Sequence, residues 1–261
     1  MDKKYTFEEF KSIIACLRGE NGCPWDKEQT YQTMKSNVLE ESYEVIDACE
    51  AGGMKLADEL GDLLLQVVML SQIASEAGEF CMDDVIDCIS RKMIHRHPHV
   101  FGNVKAETSE EVLKNWDKIK REDKKDSSVT KSLMDITKTL PSVLKAHKVQ
   151  SRAAKVGFDW DNTDDVFDKF CEELSELKSA YKNNDEDNIH EELGDLMFSV
   201  INLSRFLKVN PEIALNDSTE KFVRRFEKIE KAALSEGKRV ENMTFEEMDA
   251  LWEKVKKIEK Q

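Results

Sequence analysis

The chain has 261 residues, and its 53 acidic and 39 basic side chains give a formal net charge of −14 at pH 7. A surface this acidic repels nucleic-acid backbones and anionic lipid headgroups, so we expect neither nucleic acid nor a membrane surface as a partner. Ten glycines and four prolines are about half the usual share, and turn-rich all-β folds need more of both. The composition therefore predicts an all-α fold.

Apolar periodicity predicts three long helices in each half of the chain. In the first half they cover residues 38–49, 56–74 and 82–97, with Gly52-Gly53 ending the first and Pro98 stopping the third. In the second half the corresponding segments are 166–181, 189–207 and 214–234. Each half is expected to form a small bundle in which two long helices run antiparallel.

Short segments recur in the same order in both halves. They are GCPWD at 22–26 and GFDWD at 157–161, EExxE at 40–44 and 172–176, and ELGDL at 59–63 and 192–196. Cations and tryptophans follow at corresponding positions: Lys92, Arg96, Trp116 and Lys120 in the first copy, and Lys221, Arg225, Trp252 and Lys256 in the second. An internal repeat of this kind indicates two copies of one structural unit.

A polar stretch at 121–130 separates the copies and has the composition of a linker. We therefore predict two tandem helical-bundle repeats, residues 1–123 and 131–261, joined by a linker at 124–130.

The chain shows no sign of export or membrane insertion. Residues 1–9 lack the apolar segment of a secretory signal, and the longest apolar stretch, 63–70, is far shorter than the roughly 20 residues that span a bilayer. The six cysteines form no CxxC pair, which favours reduced and mostly buried thiols. We expect a cytoplasmic protein.

Asp62 and Asp195 interrupt helices that are otherwise apolar almost all round. Such helices are usually buried, and a buried carboxylate costs several kcal/mol unless it is paired or binds a metal. We therefore expect both aspartates to be buried with a compensating partner.

Other acidic residues indicate that the partner is a metal. In each copy ExxE on one helix and ExxD on the next would bring four carboxylates together: Glu41, Glu44, Glu59 and Asp62 in the first copy, and Glu173, Glu176, Glu192 and Asp195 in the second. Four like charges repel, and all-oxygen ligation suits Mg²⁺ or Mn²⁺ rather than zinc. Two Mg²⁺ ions would balance four carboxylates.

The sequence lacks the motifs of several other metal and nucleotide sites. The Glu-x-x-His motif of di-iron bundles is absent, as are the P-loop and dinucleotide-binding glycine motifs. Carboxylate-bound Mg²⁺ with nearby Lys and Arg is typical of phosphoryl-transfer sites, so a polyphosphate substrate is indicated. The cations could instead be ordinary exposed charges, and each tryptophan could stack on a nucleobase or fill the core.

The full series of motifs resembles the MazG family of nucleoside triphosphate pyrophosphohydrolases. It comprises GCPWD, EExxE, ELGDLL, RHPHVFG at 96–102, VGFDW at 156–160, a second EExxE, EELGDL, KFxRRF at 221–226 and a late tryptophan. The resemblance covers essentially the whole chain. It implies an all-α fold, a homodimer, and Mg²⁺-dependent hydrolysis of NTPs and dNTPs to the monophosphate and pyrophosphate, a nucleotide-pool housecleaning activity.

The resemblance also assigns residues. It implies metal ligation by Glu173, Glu176, Glu192 and Asp195, and nucleotide binding by Lys169, Lys221, Arg225, Trp252 and Lys256. From the repeat we also predict that the corresponding residues of the first copy bind substrate: Lys92, Arg96, Trp116 and Lys120. The first copy keeps its four carboxylates but has Asn37 where the second has Lys169, and Pro98 follows Arg96 closely. We therefore expect the second copy to be the main catalyst. The alternative function is a helical assembly module that binds Mg²⁺ for structure and turns over no substrate.

Overall fold

The structure, a computed structural model, describes residues 3–123 and 128–259. The described residues form thirteen α-helices and one 3-10 turn, without a strand, so the predicted all-α fold is confirmed. The helices belong to two compact units, one on either side of residues 124–127. In the described part of the chain no helix is long and apolar enough to cross a membrane.

The first unit is built around two long helices that pack along each other. Its helices are α1 (Phe7–Arg18), α2 (Pro24–Lys27), α3 (Met34–Ala51), α4 (Gly53–Glu76), α5 (Met82–Arg96), α6 (Pro98–Phe101) and α7 (Ser109–Glu122). Gly52 and Gly53 have φ of 62° and 58°, a conformation that glycine adopts without strain. The chain can therefore reverse in this short connection and lay α4 back along α3.

The second unit has the same plan. Its helices are α8 (Val129–Met134), α9 (Ser142–Ala154), α10 (Thr163–Asn183), α11 (Glu186–Phe206), α12 (Pro211–Ser235) and α13 (Phe245–Ile258). Here Asn184, in the left-handed conformation, ends α10, and the Asp185 side chain accepts a hydrogen bond from the Asn188 amide to begin α11. A different pair of residues thus makes the same reversal.

The predicted linker overlaps the start of the second unit. Helix α8 begins at Val129, within the predicted range of 124–130, whereas residues 124–127 lie outside the described residues. The bounds of the two domains and of the linker stay predictions.

Burial differs from expectation at the aspartates and the cysteines. Asp62 and Asp195 are both exposed, so the expectation of buried aspartates is wrong. Five of the six cysteines are exposed as well, and Cys23 is half-buried. An apolar helix pattern shows that a face can be buried, but whether another element covers it depends on the tertiary packing.

A glycine in the GCPWD segment allows a tight turn after α1. The Cys23 amide donates to the Leu17 carbonyl at 2.8 Å, and a Cβ on Gly22 would overlap the carbonyl oxygens of Leu17 and Cys16. By contrast, a Cβ added to Gly61, within α4, would meet no other atom within 4 Å.

These two glycines should respond oppositely to alanine. Gly22→Ala should lower the free energy of unfolding by about 1 to 3 kcal/mol through the overlap, whereas Gly61→Ala should raise it by up to about 1 kcal/mol through helix propensity. Urea denaturation followed by circular dichroism measures both. Equal stability of Gly22→Ala and the wild type would contradict this account of the turn.

Candidate active site

The second unit brings three carboxylates together where α10 packs on α11. One oxygen from each of Glu173, Glu192 and Asp195 lies within 4.8 Å of the others. Glu173 is buried, with 6% of its surface exposed, while Glu192 is half-buried and Asp195 is exposed. Glu176, the fourth predicted ligand, is exposed and lies outside this group of three. We call Glu173, Glu192 and Asp195 the second acidic cluster.

Burial and neighbouring carboxylates together disfavour the charged form of Glu192. Its pKa is raised above the ordinary value, first by partial burial and then by the charges of Glu176, Glu173 and Asp195. Glu176 therefore acts on the cluster electrostatically even though it is not grouped with it. A cation placed among these oxygens would relieve the repulsion.

Lys169 supplies one positive charge to the cluster. Its Nζ lies 2.7 Å from Oε1 of Glu173 and 2.9 Å from Oε1 of Glu172. The hydrogen bond to Glu173, followed by the one to Glu172, raises the pKa of Lys169 well above its usual range. Lys169 lies four residues before Glu173 on α10, so helical geometry alone brings the two side chains together.

The donor set of the second acidic cluster suits a hard divalent cation. All three ligand atoms are carboxylate oxygens, which Mg²⁺ and Mn²⁺ prefer, and neither His nor Cys belongs to the group. The cluster can therefore hold a metal ion.

The first unit repeats the arrangement with an uncharged hydrogen-bond partner. Glu41, Glu59 and Asp62 form the corresponding group within 4.8 Å, here called the first acidic cluster. The buried Gln66 donates its amide to Glu41 at 3.4 Å, whereas Asn37 stands at the position of Lys169. A neutral amide thus replaces a cation.

The charged forms of two carboxylates in the first acidic cluster are disfavoured, as that of Glu192 is in the second. The pKa values of Glu41 and Glu59 are both raised, mainly by desolvation. Glu44 adds its charge and a hydrogen bond to Glu59, while lying outside the group of three.

A cavity of about 590 Å³ adjoins the second acidic cluster. Its wall combines charged groups of the cluster with aromatic and apolar side chains. Among the residues that line it are Lys169, Glu173, Asp195, Gln150, Trp160 and Phe198. The volume falls within the range of small-molecule sites. Asn202 lines this cavity, and the corresponding residue of the first unit is Met69. The Met69 side chain is buried in a core with Ile14, Met34 and Val68.

A charged pair fastens one wall of this cavity. Arg205 binds Asp159 through both terminal nitrogens, with Nη1 2.8 Å from Oδ2. Both side chains are largely covered, and the bond to Arg205 holds the pKa of Asp159 below its ordinary value. The GFDWD segment is thereby attached to α11.

The predicted cations and tryptophans form a second arrangement, which also repeats. The Arg225 guanidinium lies 5.6 Å from the Trp252 ring centre, and its Nε donates to Glu259 at 2.7 Å. In the first unit Arg96 lies at the same 5.6 Å from Trp116 and contacts Asp123 at 3.4 Å. Sequence reasoning missed the acidic partners. The sequence feature that could have identified them is a carboxylate seven residues after each tryptophan.

The cation arrangement does not line the cavity described above. Of the five residues of the second copy predicted to bind nucleotide, Lys169 lies in the cavity wall, while Lys221, Arg225, Trp252 and Lys256 do not. Trp252 packs against a core of Ile229, Ala233, Leu251 and Val255, and Lys256 pairs with Glu253 at 2.6 Å. Lys221, and Lys92 and Lys120 in the first unit, are exposed. Their roles stay predictions.

Comparison with known proteins decides the family. The family model of the MazG nucleotide pyrophosphohydrolase domain matches residues 29–101 and again 162–232. The chain belongs to the MazG family. The predicted family is therefore confirmed, and the two matches contain the two acidic clusters.

Similarity to individual MazG proteins extends over nearly the whole chain. A nucleoside triphosphate pyrophosphohydrolase of Escherichia coli is 43% identical over 252 residues, covering 95% of this chain and 96% of that protein. A nucleoside triphosphate pyrophosphohydrolase/pyrophosphatase MazG of Thermotoga maritima is 43% identical, covering 96% and 95%. The uncharacterized protein YabN of Bacillus subtilis is 45% identical, with 98% of this chain matching 53% of that protein.

The ion pair of Asp159 and Arg205 should make stability depend on pH. Because the folded pKa of Asp159 is lowered, the pair stabilises the fold above the ordinary aspartate pKa of about 3.9 and this contribution is lost as the pH falls through the lowered value. Asp159→Asn should cost about 1 to 2 kcal/mol at pH 7, and its deficit should shrink below about pH 4.

Urea denaturation between pH 7 and pH 3 measures the deficit. Asp161→Asn is the matched control, since Asp161 is exposed and close in sequence, and it should match the wild type at every pH. A deficit for Asp159→Asn that does not change with pH would exclude the ion pair as its cause.

Proposed function

We propose that this chain is a Mg²⁺-dependent nucleoside triphosphate pyrophosphohydrolase. It would hydrolyse NTPs and dNTPs between the α and β phosphates to the monophosphate and pyrophosphate. The names of its relatives agree with the enzyme class predicted from the sequence. The observation that supports the proposal most directly is the second acidic cluster beside a cavity of about 590 Å³.

The metal would be held by Glu173, Glu192 and Asp195, with Glu176 as the predicted fourth ligand. When bound there, Mg²⁺, or Mn²⁺ in its place, would supply Lewis-acid stabilisation of phosphate oxygens and would favour ionisation of the attacking water. A bound cation fits the raised pKa of Glu192, because a carboxylate whose charge is disfavoured by burial and by neighbouring charges is stabilised by a cation.

The protein's own side chains have separate parts in the proposal. Lys169 neutralises Glu173 in the free enzyme and lies in the cavity wall, from where it would contact a phosphate. Glu172 and Glu191 are the candidates to accept a proton. Glu172 is already engaged by Lys169 at 2.9 Å, so Glu191 is the better candidate.

Lys221, Arg225, Trp252 and Lys256 belong to the proposal as phosphate and nucleotide contacts. The stacking of Arg225 on Trp252 and its bond to Glu259 restrict the guanidinium before any ligand arrives. A restricted cation loses less conformational entropy on binding an anion than a free one does.

A division of labour between the units is part of the proposal. The second unit has a cation on its acidic cluster and a cavity beside it, whereas the first unit has Gln66 on its cluster and Met69 buried in its core. The proposed setting is the cytoplasmic nucleotide pool, where the enzyme would remove unwanted triphosphates.

A homodimer is also proposed, supported by an apolar stripe on the second helix of each unit. Leu193, Met197 and Val200 lie on one face of α11 and are 47%, 55% and 47% exposed. Leu60, Leu64 and Val67 repeat the stripe on α4. Large exposed apolar surfaces mark sites of protein association.

The catalytic assignment can be tested with a matched pair of variants. Asp195→Asn should lower kcat for pyrophosphate release by about 100-fold or more, because it removes one ligand charge from the metal. Asp62→Asn makes the same change in the first unit and should lower kcat by less than about twofold if that unit is not the catalyst.

Several outcomes would contradict this assignment. A larger loss in Asp62→Asn would reverse the division of labour, and full activity in Asp195→Asn at saturating Mg²⁺ would remove the metal assignment. If the wild type bound Mg²⁺ but released no pyrophosphate from any triphosphate, the alternative of a structural helical module would hold. Circular dichroism should show unchanged helix content in both variants.

The dimer can be tested by placing a charge on the stripe. Met197→Glu should shift the mass measured by light scattering from dimer to monomer, because a carboxylate buried without a partner is strongly unfavourable. Leu234→Glu is the control, since Leu234 is equally exposed, at 57%, on α12. A monomeric wild type, or a dimer that persists in Met197→Glu, would refute the assignment of this stripe.

A further inference from the structure

Gln150 is a buried side chain with an unpaired oxygen. It is 7% exposed, and its Nε2 donates to the Phe198 carbonyl at 2.8 Å. Because a main-chain carbonyl can only accept, the amide nitrogen must face Phe198 and the oxygen must be the atom left over. That atom, Oε1, is fully buried and has no hydrogen-bond partner. Buried acceptors are rarely left unpaired in folded proteins, so this one calls for a donor.

The location of Gln150 indicates where the donor would come from. Gln150 lies on α9 and lines the same cavity as Lys169, Glu173 and Asp195. Its partner Phe198 is three residues after Asp195, so the Gln150 amide lies about one turn of α11 from the second acidic cluster. A ligand whose phosphates reach the cluster would therefore place its remaining part near Gln150.

The cavity wall around Gln150 suits a flat aromatic group. Val149, Ala153 and Val166 supply apolar surface, and Phe158 and Trp160 supply aromatic rings. Aromatic side chains stack on every nucleobase with little regard to its identity. A polar atom set in such a wall is what would distinguish one base from another.

We propose that Gln150 is a specificity-determining residue whose Oε1 accepts a hydrogen bond from an exocyclic amino group of the base. The preferred substrates would then be nucleotides of amino-bearing bases such as adenine and cytosine. This inference rests on the proposed function, since it assigns the base subsite of the same active site.

An amino group fits a lone acceptor better than a ring N–H does. In uracil and thymine the only base N–H lies between two carbonyl oxygens, so bringing it to Oε1 would bring two further acceptors towards Gln150 and its apolar neighbours. An exocyclic amino group projects from the ring and carries two hydrogens, so it can reach Oε1 without that repulsion. Burying the uracil oxygens unpaired would cost binding energy.

An arginine of the cavity wall is already bound to other side chains. The Arg205 guanidinium binds Asp159 through both terminal nitrogens and Asn202 Oδ1 through Nε at 3.2 Å and Nη2 at 2.9 Å. Four of its five N–H donors are therefore already engaged within the wall. This arrangement disfavours bases that present carbonyl oxygens to this part of the cavity.

The test compares ATP with purine riboside triphosphate, which has the same ring system without the 6-amino group. The wild type should prefer ATP by about tenfold or more in kcat/KM, the usual effect of one buried hydrogen bond. Gln150→Leu and Gln150→Met should bring the ratio close to one by lowering the value for ATP. Met keeps the length of the side chain in case Leu disturbs the packing.

A buried glutamine in the first unit is the matched control. In Gln29 both amide atoms have partners, since Nε2 donates to the Trp25 carbonyl at 2.9 Å and Oε1 accepts from Thr33 at 2.8 Å. Gln29→Leu should leave the ratio of the two substrates at the wild-type value. CTP and UTP provide a second comparison, with CTP preferred by the wild type and the preference lost in both Gln150 variants.

A binding measurement separates failure of this inference from failure of the proposed function. Calorimetry should show AMP binding the wild type about tenfold more tightly than purine riboside monophosphate, and the difference should vanish in Gln150→Leu. This result does not require turnover. If no triphosphate is hydrolysed, the proposed function fails and AMP binding alone decides the subsite. The proposal would be overturned if the wild type bound and hydrolysed the adenine and purine riboside nucleotides equally well, or if the ratio of the two substrates were unchanged in the Gln150 variants. Water would then be the partner of Oε1.

Discussion

Repulsion among carboxylates on two packed helices is the constraint on which both units depend. In the second unit, α10 and α11 hold oxygens of Glu173, Glu192 and Asp195 within 4.8 Å of one another. Burial, and then the charges of these neighbours and of Glu176, raise the pKa of Glu192. The packing of the helices maintains this arrangement in spite of the repulsion. A site that is unfavourable without a cation is well prepared to bind one, because the repulsion is relieved on binding.

The two units meet the same constraint with different side chains. Lys169 places a full charge on Glu173, whereas Gln66 offers Glu41 a single amide hydrogen at 3.4 Å. The second unit also carries the cavity with Gln150 in its wall, while the first buries Met69 in its core. The two units thus share the carboxylates and differ in the surrounding residues that would contact a substrate. The proposed division of labour follows from these surroundings rather than from the metal ligands.

The arginine of each unit is held by a tryptophan and a carboxylate. The distance from guanidinium to indole is 5.6 Å in both, although the acidic partner is Asp123 in one and Glu259 in the other. Repetition of this contact in two diverged copies indicates that it positions the arginine rather than fills surface at random. It also attaches α7 to α5 and α13 to α12, so the last helix of each unit is tied to the helix that carries the arginine.

The sequence by itself determined the helices, the repeat and the family. Helical periodicity is local, and the spacing of ExxE and ExxD already places carboxylates on one face, so three of the four predicted ligands in each copy come together as expected. Only the tertiary structure decided burial and the cavity. Asp62 and Asp195 are exposed because no element of their own unit covers them, which an apolar pattern cannot reveal. Gln150 and Arg205 border the site because α9 and the GFDWD segment pack on α11, and contacts between residues so far apart in sequence depend on how helices pack, not on local spacing.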